Sequence, residues 1–193
     1  MLPIALDLTR LRVAVVGRGA AACRRLSLLD QAGARRVSVF SDRPEPALAA
    51  AAGDRLRRRL PEGADLAGPA VLLVCDLPLG TAGALAAAAR ASGVLVNVED
   101  VSALCDFHMP AIVRRGDLVL AISTGGKSPG LARALKHWLE RLIDARWGER
   151  LRGLARRRRQ WRARGLGTPE LAALTRQLIE REGWLPPDDR DAA

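Results

Sequence analysis

An α/β fold built on a Rossmann-like parallel sheet is predicted by three observations on this chain. β-like and helix-like runs alternate up to about residue 110. The first apolar run passes straight into Gly17-x-Gly19-x-x-Ala22. Glycines stand where the helices should stop.

The strands are expected at Arg12–Val16, Val37–Phe40, Ala70–Cys75 and Val94–Val98. Helices are expected near Ala20–Ala32, Glu45–Arg58 and Leu79–Ala91, with Gly33 and Gly93 ending the first and third. The alanine-rich Ala84–Arg90 stretch retains Leu85 for packing and reads as a close-packed helix. After Pro110 the pattern changes. Ala111–Arg114 and Asp117–Ser123 flank Arg115-Gly116 as a β-hairpin, and such a hairpin needs a partner, a second copy of the chain being favoured. Ser128 is an N-cap and Pro129 the first helical residue of the next element. Two more helices follow between about Gly148 and Trp184, broken at Gly165-Leu166-Gly167-Thr168-Pro169, and Pro186-Pro187-Asp188 opens a frayed tail. The expected organisation is a sheet domain over 1–110, a hairpin-and-helix segment over 111–147 and a helical domain over 148–193.

The glycine turn carries chemistry. Gly17 permits a tight turn, Gly19 lets backbone approach a pyrophosphate, and Ala22 lets the helix lie close to the sheet, while the helix N-terminus offers free N–H groups. Asp42 ends the second β-like run twenty residues after Ala22, where a ribose-binding acid belongs. Asp42 would repel a 2′-phosphate and Arg43 could accept one, so the choice between NAD and NADP stays open. A structural turn is the bland alternative.

At 193 residues and 49% hydrophobic, the chain can bury a substantial core. It has no apolar run long enough to span a membrane, and its opening residues lack a basic n-region and a long apolar core, so a cytoplasmic protein is expected. Cys23, Cys75 and Cys105 form no C-x-x-C pair, which argues against a disulfide framework. The net charge of +10 is carried almost wholly by arginine. Between Arg141 and Arg164, ten arginines face only Asp144 and Glu149, a block that attracts a polyanion, whether nucleic acid or a small polycarboxylate.

Asn97-Val98-Glu99-Asp100 closes a predicted strand at the sheet edge where ligands bind, which makes one carboxylate a proton-transfer candidate. Strand alternation keeps both acids from entering the site together. Cys105-x-x-His108 supplies two metal ligands without a partner pair, so no metal site is assigned, and His108 is expected to line a pocket or pack in the core. Gly125-Gly126-Lys127-Ser128 resembles the end of a phosphate loop, but the full motif needs glycine at 121, where Ala121 stands. With Thr124, that loop could still bind carboxylates through backbone donors and hydroxyls.

The order of these parts, from Gly17-x-Gly19-x-x-Ala22 through Asn97-Val98-Glu99-Asp100 and Asp106-Phe107-His108-Met109-Pro110-Ala111 to Ser123-Thr124-Gly125-Gly126-Lys127-Ser128-Pro129, resembles the precorrin-2 dehydrogenase family. That family includes the N-terminal module of siroheme synthase and stand-alone relatives. The resemblance reaches to the helix after Pro129; the later helices are similar only in kind. It implies an NAD-binding Rossmann domain, a strand-exchanging dimerisation segment, a small helical domain and a homodimer. It further implies oxidation of precorrin-2 to sirohydrochlorin with NAD, and in some members insertion of ferrous iron, as a second substrate, to give siroheme. By position, Ala20, Ala21, Asp42 and Arg43 would contact NAD, Asp100 matches the family's key acid, and Thr124 stands beside the tetrapyrrole pocket where some relatives have serine. Asp100, with His108 as helper, would take the protons that leave on iron insertion. A polycarboxylate macrocycle also suits the chain's positive charge.

Three alternatives stand beside this reading. One is a dehydrogenase without chelatase activity. Another is a redox-sensing nucleic-acid-binding protein, motivated by Arg156-Arg157-Arg158-Arg159-Gln160-Trp161; four consecutive arginines wrap around a helix and form no groove-facing stripe, and nucleic acid is not favoured. A third is a non-catalytic NAD-binding module. The tryptophans Trp138, Trp147, Trp161 and Trp184 are candidate anchors for dimer packing.

Overall fold

The four strands expected in the first hundred residues form as parallel strands in the computed structural model, which describes residues 2–186. The elements are β1 (Arg12–Val16), α1 (Ala20–Gln31), β2 (Arg36–Phe40), α2 (Pro46–Ala52), β3 (Leu56–Arg57), α3 (Ala64–Ala67), β4 (Val71–Val74), α4 (Leu79–Ala91) and β5 (Leu95–Val98). They form one parallel sheet of order β3-β2-β1-β4-β5, with Val13 aligned to Val37 on one side and to Val71 on the other. The strand order reverses between β1 and β4. Ligands of open α/β sheets bind in the crevice outside that point.

Both sheet faces are covered, which is why the strands read as continuous apolar runs. Val13, Val15 and Leu73 pack with Leu26 and Leu29 of α1 and Leu48 of α2. Ala14, Val16, Leu72 and Val74 pack with Ala82, Leu85, Ala86 and Ala89 of α4.

The helix expected over Glu45–Arg58 is shorter. It ends at Ala52, because Gly53 takes a φ of 53° and the chain turns through a 3-10 segment, Gly53–Arg55. Leu56 then pairs with Val39 and adds β3 to the sheet edge. At the other edge Asp106 closes β5: its Oδ2 accepts from Val96 N (2.8 Å), its own N–H donates to Val96 O, and Oδ1 holds Arg90 Nε (2.8 Å).

A second compact unit begins at Pro110. It contains β6 (Ala111–Arg115), β7 (Leu118–Ile122), α5 (Pro129–Leu142), α6 (Arg146–Ala163) and α7 (Thr168–Arg181). The hairpin turn lies one residue later than expected: Arg115 pairs with Leu118, so Gly116 and Asp117 make the loop, with Gly116 at a φ of 61°. Arg115 donates from Nε to Ile143 O (2.6 Å) and from Nη2 to Glu140 O (3.0 Å), satisfying carbonyls at the end of α5. Ser128 Oγ accepts from Leu131 N (3.2 Å) as the N-cap of α5. On α6, Arg150 lies over the rings of both Trp147 and Trp184. The tail expected from residue 187 onward lies outside the described residues.

Candidate functional site

The glycine turn sits at the sheet's switch point and is built from close approaches that only small residues allow. A β-carbon on Gly17 would lie 2.8 Å from Ala22 Cβ and 2.9 Å from the Cys75 carbonyl oxygen. Gly17 N donates to Phe40 O (3.1 Å), which ties the turn to β2. Ala21 and Ala22 are buried against the sheet. The N–H groups of Ala20 and Ala21, at the start of α1, donate to no acceptor among the described residues. That backbone fits a dinucleotide's pyrophosphate: two free donors at a helix N-terminus, with glycine where the ligand must come close.

Side chains crowd the same turn. Arg18, between the two glycines, holds Asp42 bidentately, Nε to Oδ1 at 2.8 Å and Nη2 to Oδ2 at 2.6 Å. This keeps the Asp42 carboxyl below the usual carboxylate range. Two oxygens with about four lone-pair sites leave Asp42 acceptor capacity for a ribose hydroxyl. Arg43 is exposed beside it. Glu45 donates its N–H to Arg18 O (2.8 Å), and its Oε1 would lie 2.6 Å from a β-carbon on Gly19. Asp76, just beyond β4, accepts at Oδ2 from Gly19 N (3.0 Å) and Ala22 N (3.2 Å).

A cleft of about 80 Å³ opens beside the turn, lined among others by Cys75, Asp76, Leu79, Val98 and Glu99. Burial, with Glu99 adding to it, pushes the Cys75 thiol up to about 12, so the lining thiol stays protonated. Of the paired acids closing β5, Glu99 lines this cleft and meets Arg24 at 3.4 Å. Asp100 does not line it. It is exposed and takes a φ of 59°. His108 is half-buried in the segment whose neighbour Phe107 packs on the α1 side of the sheet, and Asn97 Nδ2 fixes that segment by donating to Phe107 O (2.8 Å). Cys105 Sγ donates to Val98 O (3.1 Å) and accepts from Val98 N (3.3 Å), a structural use of the thiol.

In the second unit, the hydroxyls of the Thr124–Ser128 loop also serve the backbone. Thr124 Oγ1 donates to Ser128 O (3.0 Å) and accepts from Ser128 N (3.2 Å). Gly125 and Gly126 take φ values of 62° and 79°, and Lys127 is exposed.

The structure therefore gathers Gly17, Gly19, Ala20, Ala21, Ala22 and Asp42 around one turn, the last through Arg18. Arg18 and Asp76 were not singled out in the sequence. The signal for Asp76 was present: an acid directly after a predicted strand, on the ligand-binding edge of the sheet.

Residues 4–111 match a family model described as putative NAD(P)-binding. The chain is 40% identical over 150 residues to a siroheme synthase of Methylococcus capsulatus, which covers 76% of this chain and 31% of that protein. It is 43% identical over 164 residues to a siroheme synthase of Thiobacillus denitrificans, covering 81% and 33%. It thus spans about a third of these relatives. Among solved structures, SirC, a precorrin-2 dehydrogenase, superposes with a TM-score of 0.70 at 26% identity, over 93% of this chain and 89% of that one.

Proposed function

This chain belongs to the putative NAD(P)-binding family, with the precorrin-2 dehydrogenases as its kin, and from that premise we propose that it oxidises precorrin-2 to sirohydrochlorin with NAD. The observation that carries the reading is the likeness to SirC over nearly the whole of both chains, with a glycine turn whose backbone suits a dinucleotide.

NAD, when bound, supplies the hydride acceptor. Ala20 and Ala21 offer N–H groups to its pyrophosphate, Gly17 and Gly19 give the backbone clearance, and Asp42, with Arg43 beside it, takes the ribose. Asp100 accepts a proton from the macrocycle or orients it, and its exposed position leaves room for so large a substrate. Glu99 is the competing carboxylate, because it lines the cleft. Thr124, Gly125, Gly126, Lys127 and Ser128 receive substrate carboxylates, and the arginines of α6 draw the polyanion in. Insertion of ferrous iron enters as a second activity, on the sirohydrochlorin that the oxidation forms, with Asp100 and His108 taking the departing protons.

A homodimer completes the proposal. Leu131, Leu135, Trp138 and Leu142 recur at intervals of four, three and four along α5, so they share one face, and each is exposed, Trp138 at 50% and Leu142 at 54%. A second copy is the natural cover for that stripe.

NADH formation from precorrin-2 and NAD tests the reading. Wild-type protein should produce it and Asp100→Ala should not, with NADH binding retained in both. Full activity in Asp100→Ala with loss in Glu99→Gln would move the proton-handling role to Glu99. Adding ferrous iron to the finished mixture, with and without fresh protein, separates a bifunctional enzyme from a dehydrogenase alone.

A further inference from the structure

The N–H groups at the start of α1 are the place where the chain would meet a pyrophosphate, and two of them are already taken. Asp76 Oδ2 bridges Gly19 N and Ala22 N, at the positive end of the helix dipole, from 57 and 54 residues away in sequence. Such a bond is charge-assisted and satisfies donors that a helix leaves open at its N-terminus. Asp76 also takes a φ of 54°, a conformation disfavoured for residues with a side chain. The contact is thus made from a costly backbone geometry.

Its surroundings point the same way. Glu45 brings a second carboxylate over Gly19. The cleft beside the turn, at about 80 Å³, is several times smaller than ligand pockets, which run to about 300–1,000 Å³. Asp76 is both a lining residue of that cleft and the one bonded to the helix start.

We propose that Asp76 is an internal competitor for the pyrophosphate position: its carboxylate sits on the Gly19 and Ala22 N–H groups, beside the open Ala20 and Ala21 donors, repels a pyrophosphate arriving there and so lowers the dinucleotide affinity. This rests on the dinucleotide reading above and adds to it. Two anions on neighbouring donors of one helix start repel each other, so a pyrophosphate on Ala20 and Ala21 binds more weakly while Asp76 holds Gly19 and Ala22. A weakened hold on NAD and NADH alike favours exchange of product for fresh cofactor between turnovers.

Equilibrium titrations of the full chain with NADH, ADP-ribose and adenosine test this, since adenosine lacks the pyrophosphate. Asp76→Asn and Asp76→Gly both tolerate the left-handed backbone, and the second relieves it. Replacing the carboxylate should tighten NADH and ADP-ribose about tenfold, from the strength of hydrogen bonds to charged groups, and leave adenosine unchanged. Unchanged or weaker NADH binding in both folded variants, against a wild-type protein that binds NADH, would overturn the competitor and leave the dinucleotide site standing. An equal gain for adenosine would also overturn it. If neither wild type nor variants bind NADH or ADP-ribose, the dinucleotide reading itself fails and the competitor falls with it.

Discussion

Alanine at Gly17 and alanine at Gly83 are the same chemical change and should have opposite effects. At Gly17 the new methyl would meet Ala22 Cβ at 2.8 Å and the Cys75 carbonyl oxygen at 2.9 Å. Neither neighbour can rotate away, because one is a bare methyl on α1 and the other is backbone beside β4. Overpacking of this kind costs about 1–3 kcal/mol. At about 2–4 °C per kcal/mol for a chain of this size, the melting temperature should fall by roughly 2 to 12 °C. Gly83 lies inside α4, and a β-carbon there meets only Leu104 Cδ1, at 4.0 Å. Removing glycine from a helix interior should stabilise by about 0.5–1 kcal/mol. Thermal unfolding of both variants, followed by circular dichroism, with NADH titration of each, reads out the pair. Gly17→Ala should melt lower and bind NADH more weakly, whereas Gly83→Ala should melt higher and bind unchanged. A Gly17→Ala protein as stable as wild type would refute the claim that close packing against Ala22 and Cys75 requires glycine at this turn.

Three further outcomes are expected. Arg18→Ala should let the Asp42 carboxyl, now held low by that guanidinium, titrate nearer its ordinary value, as carboxyl NMR would show. Because the folded-state value is depressed, the pair stabilises the fold above the ordinary aspartate value and that contribution is lost as pH falls through the lowered one, so the variant should show less acid-dependent loss. Cys75, raised to about 12 from 9.0, should stay unlabelled by thiol reagents at neutral pH until the protein unfolds. Its sign is opposite: stability from the protonated thiol is complete below about pH 9 and lost as pH rises toward about 12. Trp138→Glu places a charge in the apolar stripe of α5 and should shift the protein to monomer in light scattering; an unchanged dimer would locate the interface elsewhere.

The sheet was legible in the sequence because its strands are continuous apolar runs buried on both faces, and the glycine turn because it follows one such run and a second ends at Asp42, twenty residues after Ala22. β3 escaped notice. Its two residues follow an alanine run that favours helix, and only the positive φ of Gly53 ends α2 early enough to free Leu56 for Val39. The hairpin turn was displaced by one residue because the cross-strand register of Arg115 with Leu118, a pairing property, places the loop. The Asp76 contact was invisible for a similar reason, since local pattern carries nothing about residues 57 positions apart. The separate placement of Glu99 and Asp100 was half legible. Alternation separated the two acids, and the structure shows that Glu99 is the one lining the cleft.

The most direct measurement follows NADH and sirohydrochlorin together in one mixture of protein, precorrin-2 and NAD. The proposed reaction requires that, above a protein-free mixture, the two appear in equal amounts. Sirohydrochlorin forming no faster than in a protein-free mixture, by a chain that binds NADH, would contradict it.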